Sequence, residues 1–446
     1  MTVPPIPEAE WSALQDEAVG FLQQLVRIHT INPNDVKPGS PVVAVGETVA
    51  DQLIKEKLAK DGIDADILEA APTRGNLIAR LAGDGSRKPV LLLGHLDVAG
   101  VTPEGWTAGI DPFGGDIKDG RLFGRGTADM KDLVVMHVMA LLIAKRRGLK
   151  LKRDLILAGV ADEEAGSHKG MLWLIAKHWD KIAAEFSFNE GFSGSPMLSL
   201  RDGKTVIWVG LEAIEKRILA AYVTAHGHAG HASSEQPDNC IYRLAAALER
   251  LSRHPRPMVL NPVSQRLVRT IKAYFGEDLR ESISPDVRAI FHDVIVPTML
   301  KAGTELIVLP GEATAALTCR LLPTTDTGEF QTWLETVVGL PDVHVTYSYP
   351  MPPPSPAPSS AENELVTAYK SAVRRHFGEH VPVILTQGIG TTDSFHLRER
   401  GVAAYGVRPL VDAKQEGIHG NNESIPVDGF KAGLRMFVEV VLDLAT

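Results

Sequence analysis

Short apolar segments alternate with helical segments along the first 160 residues, and this alternation constrains the fold more than any other feature. Segments with the length and composition of buried strands lie between turns, at 65–69, 76–81, 89–98 and 154–160. Helical periodicity occurs at 8–30, 45–60 and 133–145. Strands that alternate with helices of this length are typical of an α/β domain with a mainly parallel sheet.

The pattern changes around residue 210. Three strands at 216–225, 313–322 and 343–349 and two helices at 239–252 and 327–338 suit a small α+β module of the ferredoxin-like type. The proline-rich segment 350–360 is typical of a stiff connector, and helix 362–377 and strand 381–385 resume the first pattern. We therefore predict a discontinuous α/β catalytic domain (1–212 and 351–446), interrupted by an inserted module (213–350).

Composition excludes several classes of protein. The formal net charge of -9 argues against a nucleic-acid surface. Residues 1–10 lack the basic and apolar parts of a secretory signal, and the apolar segment 133–144 is too short to cross a bilayer. Two cysteines, Cys240 and Cys319, exclude a disulfide framework or a cysteine-rich metal site and favour the cytoplasm. Any metal must therefore be bound by His, Asp and Glu.

Metal-binding side chains collect where predicted strands end, which is where open α/β sheets place their active sites. His95 and Asp97 follow one strand and face the same side in an extended segment, so that one can bind a metal while the other supports it. The next strand is followed by the acidic run 162–164, which is costly to gather unless a cation lies among the carboxylates. A simple His–Asp pair and a solvated acidic loop are the alternatives.

Three further donors lie in later loops. Asp129 lies in a glycine-bearing turn before an apolar helix, where a helix N-cap is the alternative. Glu190 follows a short strand-like segment, and His419 lies in a loop before the last helix. Two metal ions sharing Asp129, with one histidine and one further carboxylate each, would use His95, Asp129, Glu164, Glu190 and His419. This donor set suits Zn²⁺, with Co²⁺ or Mn²⁺ as substitutes, and leaves Glu163 free for proton transfer.

These segments, in this order, resemble the aminoacylase/carboxypeptidase family of co-catalytic zinc metallopeptidases, and the resemblance runs from about residue 10 to the C-terminus. It is carried by GHLDV at 94–98, GRGTADMK at 124–131, DEEAG at 162–166, NEG at 189–191 and HG at 419–420. The segments VPTMLKAG at 296–303 and CRLLP at 319–323 are most similar to the carboxypeptidase S-like branch. Other members of the family are glutamate carboxypeptidase, succinyl-diaminopimelate desuccinylase and acetylornithine deacetylase.

The resemblance implies a role for each matching residue. Asp129 would bridge two zinc ions, and each ion would take one more histidine and one glutamate from the five donors. Asp97 would orient His95. Glu163 would be the general base that takes a proton from the attacking water and passes it to the leaving nitrogen.

In the inserted module the resemblance extends to the family's lid. His231, in GHAGHAS at 227–233, matches the lid histidine that stabilises the oxyanion, and Arg320 matches the lid arginine that pairs with the substrate carboxylate. The module is therefore expected to be a lid and a homodimerisation domain. A separate metal site of His226, His228 and His231 is an alternative, weakened because the sequence shows no nearby carboxylate.

A later loop, GIGTTDS at 388–394, resembles the family's substrate loop. Its backbone N–H groups would bind an anionic group of the substrate, and its candidate residues are Gly390, Thr391, Asp393 and Ser394. A simple strand–helix turn is the alternative. The chain has Ile307 where the family usually has an asparagine, which favours a more apolar acyl or side-chain group.

We therefore predict a cytoplasmic zinc hydrolase that cleaves a peptide or amide bond next to a free carboxylate, as a carboxypeptidase or N-acyl-amino-acid amidohydrolase does. Its partner would be a small-molecule or peptide substrate, with no nucleic acid and no membrane. A dipeptidase or a biosynthetic deacetylase or desuccinylase is the alternative among hydrolases. A non-catalytic binding protein on the same fold is the alternative outside them.

Overall fold

The chain divides into two compact units. The computed structural model describes residues 5–35, 44–191, 197–199, 205–234, 236–281, 285–348, 351–409 and 417–446. The first unit comprises Met1–Ala213, Ala357–Thr386 and Thr392–Thr446, and the inserted unit comprises Ile214–Pro356 and Gln387–Thr391.

Helices and strands alternate through most of the chain. In chain order the helices are α1 Glu8–Val26, α2 Glu47–Ala59, α3 Lys131–Arg146, α4 Met171–Lys177, α5 Trp179–Ile182, α6 Cys240–Arg253, α7 Pro262–Phe275, α8 Pro285–Ala289, α9 Thr327–Val338, α10 Glu364–Phe377, α11 Ser394–Glu399 and α12 Val427–Ala445. The strands are β1 Ala65–Ala71, β2 Arg74–Leu81, β3 Val90–His95, β4 Ile117–Lys118, β5 Arg121–Phe123, β6 Leu155–Val160, β7 Phe186–Glu190, β8 Met197–Ser199, β9 Thr205–Ile207, β10 Val209–Glu215, β11 Arg217–His226, β12 Gly230–His231, β13 Val294–Ala302, β14 Val308–Leu309, β15 Glu312–Leu321, β16 Val343–Tyr347, β17 Val383–Gly388, β18 Ala403–Val407 and β19 Ser424–Pro426.

An eight-stranded sheet forms the centre of the first unit, in the order β1-β2-β6-β3-β7-β18-β10-β17. The central strands β6, β3, β7 and β18 run parallel. Strand β2 pairs antiparallel with β1 and β6, and β10 pairs antiparallel with β18. The prediction of an α/β fold with a largely parallel central sheet is confirmed.

Apolar strands and helices make the first unit a three-layer structure. Strands β3 and β6 are buried at every residue, as expected for parallel strands covered on both faces. Helices α1, α3, α10 and α12 contribute to the core on one face of the sheet, and α4 contributes to the core on the other. The sheet edge that carries the predicted metal donors is therefore held by a large core.

Several element boundaries differ from the predicted ones. The first helix ends at Val26 rather than near residue 30, and Thr30 and Asn32 instead form main-chain hydrogen bonds with Val98. The strand predicted at 89–98 ends at His95. Tyr349 and Pro350, predicted at a strand end and at the start of the connector, lie outside the described residues, as do residues 1–4.

The inserted unit contains a four-stranded antiparallel sheet in the order β13-β15-β11-β16. Alternate residues of β11, such as Leu219 and Val223, pack into one core with α6 and α9. The opposite face of the same strand leaves Ile218 and Tyr222 exposed. The sheet thus has one helix-covered face, as period-two alternation predicts.

Five described elements of the inserted unit were not predicted, namely α7, α8, β12, β13 and β14. Helix α7 begins with Pro262 after the N-cap Asn261, whose side chain accepts from Val263 and Ser264, and this start signal was present in the sequence. Strand β13 contains Pro297, which argues against a central strand and suits the sheet edge where β13 lies.

In the described part of the chain, no helix combines the length and apolar character needed to cross a bilayer.

Candidate metal centre

Three parallel strands bring their carboxyl ends to one edge of the central sheet. Strand β3 ends at His95, which is in register with Val160 at the end of β6. The turn that follows β6 carries Glu163 and Glu164. Strand β7, the other neighbour of β3, ends at Glu190. Residues that are far apart in sequence therefore meet at this edge.

The first donor group consists of His95, Asp129 and Glu190, all of which are buried. His95 Nε2 lies 3.0 Å from Asp129 Oδ1 and 3.6 Å from Glu190 Oε1. His95 Nδ1 lies 2.8 Å from the main-chain oxygen of Asp97, which turns the other nitrogen toward the carboxylates. A strand-end pair of His95 with Asp97 alone does not describe this arrangement.

The second donor group consists of Asp129, Glu164 and His419. His419 Nε2 lies 2.9 Å from Asp129 Oδ2 and 3.1 Å from Glu164 Oε2. Asp129 thus presents one carboxylate oxygen to each histidine, and the N-cap residue of α3 is Met130 rather than Asp129. The structure brings all five predicted donors together.

Unpaired carboxylate oxygens show that the donor set fits metal ions. Oε1 of Glu164 and Oε2 of Glu190 are buried and have no hydrogen-bond partner among the residues that the structure describes. A buried anionic oxygen without a partner is costly, and a divalent cation would compensate for it. Imidazole and carboxylate donors are those that Zn²⁺ and similar ions prefer.

The electrostatics of the site agree with this fit. Burial, with the nearby charge of Asp129, raises the pKa of Glu190 to about 8. Hydrogen bonds to Asp129 and Glu164 raise the pKa of His419 to about 10. Burial alone would raise the pKa of Asp129, but His419 and His95 hold it well below its usual range. The carboxylates of this site therefore carry more negative charge than its two histidines can neutralise.

Glu163 lies in the same turn but belongs to neither donor group. Burial and the charge of Glu190 raise the pKa of its carboxyl group well above the usual range. The turn itself is anchored by Asp97, whose Oδ1 accepts from the main-chain N–H of Glu163 at 3.1 Å. Oδ2 of Asp97 accepts from the main-chain N–H of Glu164 at 3.2 Å. Asp97 Oδ1 lies 3.6 Å from His95 Nδ1, so the closer contact to that ring is through the Asp97 main chain.

A buried polar network behind the site was not predicted. The side-chain amide of Asn32 donates to Asp97 at 2.8 Å and to Asp162 at 3.3 Å. Arg74 donates to Asp162 at 3.1 Å and makes two hydrogen bonds of 2.7 Å to Glu47. Nothing in the sequence relates Asn32 or Arg74 to the acidic turn.

A second support holds the loops of Asp129 and His419 together. Glu423 Oε1 accepts from the main-chain N–H groups of Ala128 at 2.8 Å and Asp129 at 3.2 Å. Arg125 forms a buried ion pair with Glu423 and donates to the main-chain oxygen of Gly420 at 2.8 Å. This support was not predicted, and the sequence feature that could have indicated it is the position of Arg125 within the glycine-bearing turn.

The loop at 388–394 has most of its polar side chains engaged. Asp393 is buried and accepts from Ser167 Oγ. Ser394 Oγ accepts from the side-chain amide of Asn189 at 3.2 Å, and Thr391 Oγ1 donates to the main-chain oxygen of Lys216 at 2.7 Å. Gly390 is half-buried.

His231 and Arg320 both lie in the inserted unit. His231 ends the short strand β12 and is exposed, with Nδ1 2.8 Å from Ser233 Oγ. Arg320 is half-buried on β15, in register with Ile218 and Val294.

The three-histidine alternative is not supported. The expectation that no carboxylate lies nearby was wrong, because the fold pairs His228 with Asp238 and places Glu312 3.9 Å from His226. These contacts are separate pairs, however. Among the residues the structure covers, no group of three metal-binding side chains includes any of the three histidines.

Comparison with known proteins agrees with the motifs and the fold. The family model "Peptidase family M20/M25/M40" matches residues 91–443. The N-fatty-acyl-amino acid synthase/hydrolase PM20D1 of Xenopus tropicalis is 26% identical over 378 residues, covering 80% of this chain and 73% of that protein. Aminoacylase-1 of Sus scrofa is 24% identical over 435 residues, covering 96% and 95%. The crystal structure of human carnosine dipeptidase 1 superposes with a TM-score of 0.73 at 17% identity, covering 99% of both chains.

The family resemblance read from the sequence motifs is thereby confirmed. The family model extends over most of the chain and includes all five clustered donors. The chain therefore belongs to peptidase family M20/M25/M40 and is an amidohydrolase.

Proposed function

We propose that this amidohydrolase uses two zinc ions to cleave an amide bond next to a free carboxylate, as a carboxypeptidase or N-acyl-amino-acid amidohydrolase. The observation that carries the proposal is the position of Asp129, whose two oxygens lie 3.0 Å from His95 Nε2 and 2.9 Å from His419 Nε2. The resemblance to an N-fatty-acyl-amino acid hydrolase and to aminoacylase-1 supports this substrate class.

Five residues would hold the metal ions. His95 and Glu190 would complete one site and Glu164 and His419 the other, with Asp129 shared. When bound, the two ions would lower the pKa of a water molecule and polarise the amide carbonyl. The contacts of Asp129 with both histidines hold these donors close together.

Glu163 would carry the proton. Its carboxylate belongs to neither donor group, whereas its neighbour Glu164 belongs to the second. The N–H groups of both glutamates are held by Asp97, which limits the positions that the Glu163 side chain can take. In our proposal Glu163 takes a proton from the attacking water and gives it to the leaving nitrogen.

We propose that the first unit is the catalytic domain and the inserted unit the lid. The exposed ring of His231 would stabilise the oxyanion, and the guanidinium of Arg320 would pair with the substrate's carboxylate. Because Asp393 and Ser394 are already hydrogen-bonded, the 388–394 loop would contact substrate through main-chain groups, near Gly390 and Thr391.

The inserted unit would also be the dimer contact. Strand β13 is at a sheet edge, and within the described chain it pairs only with β15. Its residues Val296, Met299 and Leu300 are exposed and apolar, which is unusual for an unprotected edge. Sedimentation of the purified protein would test for a homodimer. The cytoplasmic location stays a prediction.

Metal analysis combined with a substrate panel tests the proposed function. Protein reconstituted with Zn²⁺ should retain about two ions per chain after desalting, and chelation should abolish activity. N-acyl amino acids should be cleaved, whereas their C-terminal amides should be poor substrates. A metal content near zero with chelator-resistant activity would exclude the two-metal proposal, and activity confined to dipeptides would support a dipeptidase.

A further inference from the structure

The segment 392–394 contacts both segments that carry the glutamates of the metal centre. It belongs to the first unit and lies at the start of α11. Its side chains form hydrogen bonds with Ser167, in the turn that follows β6, and with Asn189, which precedes Glu190 in β7. These contacts join positions that are 226 and 205 residues apart in the sequence. All three residues of the segment are buried.

The hydrogen bond between Ser167 and Asp393 links two buried side chains. Ser167 Oγ donates to Asp393 Oδ1, and the two residues are 4% and 1% exposed. A buried carboxylate that loses its hydrogen-bond donor is costly, because water cannot readily replace that donor. The contact therefore fixes the position of the turn relative to the start of α11.

The helix that Asp393 precedes does not explain the orientation of its side chain. Asp393 is the N-cap residue of α11, where an aspartate usually accepts from a main-chain N–H group of the first turn. Its side chain makes no such hydrogen bond. Thr392 Oγ1 accepts from the main-chain N–H of Ser394 at 3.1 Å instead. The carboxylate of Asp393 is thus directed towards the acidic turn rather than towards its own helix.

The acidic turn has a backbone that needs support from outside. Asp162 and Ser167 flank its two glutamates, and both have a positive φ, of 69° and 63°. Residues with a side chain adopt this left-handed conformation mainly where the surrounding structure fixes it. Asn32 and Arg74 donate to the side chain of Asp162, and Ser167 bonds to Asp393. The turn is therefore held at both of its ends.

The other contact of the segment reaches the end of β7. The side-chain amide of Asn189 donates to Ser394 Oγ at 3.2 Å and to Thr392 Oγ1 at 3.4 Å. Asn189 is buried and lies directly before Glu190, a donor of the first group. One short segment thus supports the strand end that carries Glu190 and the turn that carries the other two glutamates.

We propose that Asp393 is a positioning residue, which acts through Ser167 to hold Glu163 and Glu164 in place for proton transfer and metal binding. The proposal deepens the proposed function and rests on it. The family resemblance had instead suggested that Asp393 binds substrate. The two roles differ in their kinetics, because loss of a substrate contact raises KM, whereas a misplaced turn lowers kcat and metal affinity.

Zinc affinity and steady-state kinetics of three variants test the proposal. Ser167→Ala removes the hydrogen-bond donor, and Asp393→Ala removes the acceptor. Each should lower zinc affinity, measured by chelator competition, on the order of tenfold. Each should also lower kcat for N-acetyl-L-methionine at saturating zinc at least ~10-fold, with KM within about twofold of the wild type. Asp393→Asn keeps an oxygen that can accept from Ser167, so that it should retain more activity than Asp393→Ala.

A double variant and a matched control separate positioning from stability. Ser167→Ala combined with Asp393→Ala should be no worse than Asp393→Ala alone, because both changes break the same contact. Ser359 is another buried serine, whose Oγ donates to the main-chain oxygen of Ala404 at 2.7 Å. Ser359→Ala should lower the stability of the protein to urea and leave zinc affinity and kcat unchanged.

The remaining outcomes contradict the proposal. A raised KM for Asp393→Asn with wild-type kinetics for Ser167→Ala would assign Asp393 to substrate binding. Loss of stability alone in the Ser167 and Asp393 variants, as in the control, would reduce the contact to a structural one. In both cases a wild type that binds zinc and cleaves N-acetyl-L-methionine would leave the proposed function standing. A wild type that binds no zinc would overturn the proposed function and this inference with it.

Discussion

The carboxylate of Asp97 accepts a hydrogen bond from the main-chain N–H group of Glu163 over 3.1 Å. The same carboxylate accepts from the N–H group of Glu164 and from the side chain of Asn32. One buried side chain therefore holds the proposed proton carrier and a proposed metal donor in fixed relation. This contact gives Asp97 a positioning role that differs from orienting His95 alone.

Asp97→Asn should weaken both the metal binding proposed for Glu164 and the proton transfer proposed for Glu163. The amide has one acceptor oxygen, so that its NH₂ group would face a main-chain N–H or the amide of Asn32. We expect zinc affinity to fall 10–100-fold, as for other residues that support metal ligands, and kcat to fall at saturating zinc. Chelator competition and steady-state kinetics would measure the two effects. Asp66→Asn, at an acid on the surface, is the control, and equal behaviour of the two variants would disprove the positioning role.

Glu163 and Glu164 are adjacent but should respond differently to the same substitution. Glu163→Gln should retain two zinc ions and lose at least ~10²-fold in kcat, because the amide cannot accept the proton. Glu164→Gln should lose affinity for one ion, since Oε2 of Glu164 lies beside His419 in the second donor group. Metal analysis and kcat on one preparation of each variant would distinguish them. Equal metal loss in both variants would contradict the division of roles.

The donors could be found from the sequence because each ends or follows a strand, or lies in a loop before a helix, in an α/β pattern. Strand ends meet at one edge of a parallel sheet, so that His95, Glu164 and Glu190 were expected to be neighbours without knowledge of the contacts. The supporting residues carry no such local signal. Arg74 meets Asp162 across 88 positions and Arg125 meets Glu423 across 298, and a charged residue in a loop looks the same whether it is solvated or buried.

In the inserted unit, too, elements with a local sequence pattern were predicted and elements without one were missed. Strands β11 and β15 were predicted from alternation, with boundaries one residue from those observed. Strand β13 was missed because it contains Pro297 and because its apolar residues do not alternate with polar ones, so that no strand periodicity marks it. Tertiary contacts, rather than a local sequence pattern, determine that β13 pairs with β15.

Substitutions of His231 and Arg320 should affect different kinetic constants, kcat for His231 and KM for Arg320. His231→Ala should lower kcat ~10²–10³-fold with unchanged metal content if the ring stabilises the oxyanion. Arg320→Ala should raise KM most for substrates with a free carboxylate and much less for their amides. His228→Ala is a matched control, because this exposed histidine lies three residues away and pairs with Asp238. Kinetics close to wild type for both variants would refute the roles proposed for the lid, while the metal centre could remain.

Acid stability should depend on His137, a buried histidine of α3 that belongs to neither metal-donor group. Its ring packs 5.3 Å from that of Phe437, and neither ring nitrogen has a hydrogen-bond partner in the described portion of the chain. Burial lowers its pKa from 6.5 to about 3. The folded protein therefore keeps this ring neutral at a pH where the unfolded chain binds a proton.

The sign of the effect follows from proton uptake. A histidine with a depressed folded-state pKa destabilises the fold as the pH falls from 6.5 towards 3, by up to about 1.4 kcal/mol for each pH unit. His137→Leu removes this proton uptake and fills the same apolar site. Between pH 7 and pH 5 the variant should lose less unfolding free energy than the wild type, by up to about 2 kcal/mol. Urea unfolding of metal-free protein at the two pH values would measure the difference, with His254→Leu, at an exposed histidine, as the control. A pH dependence identical for His137→Leu and the wild type would show that His137 is hydrated or protonated in the folded state.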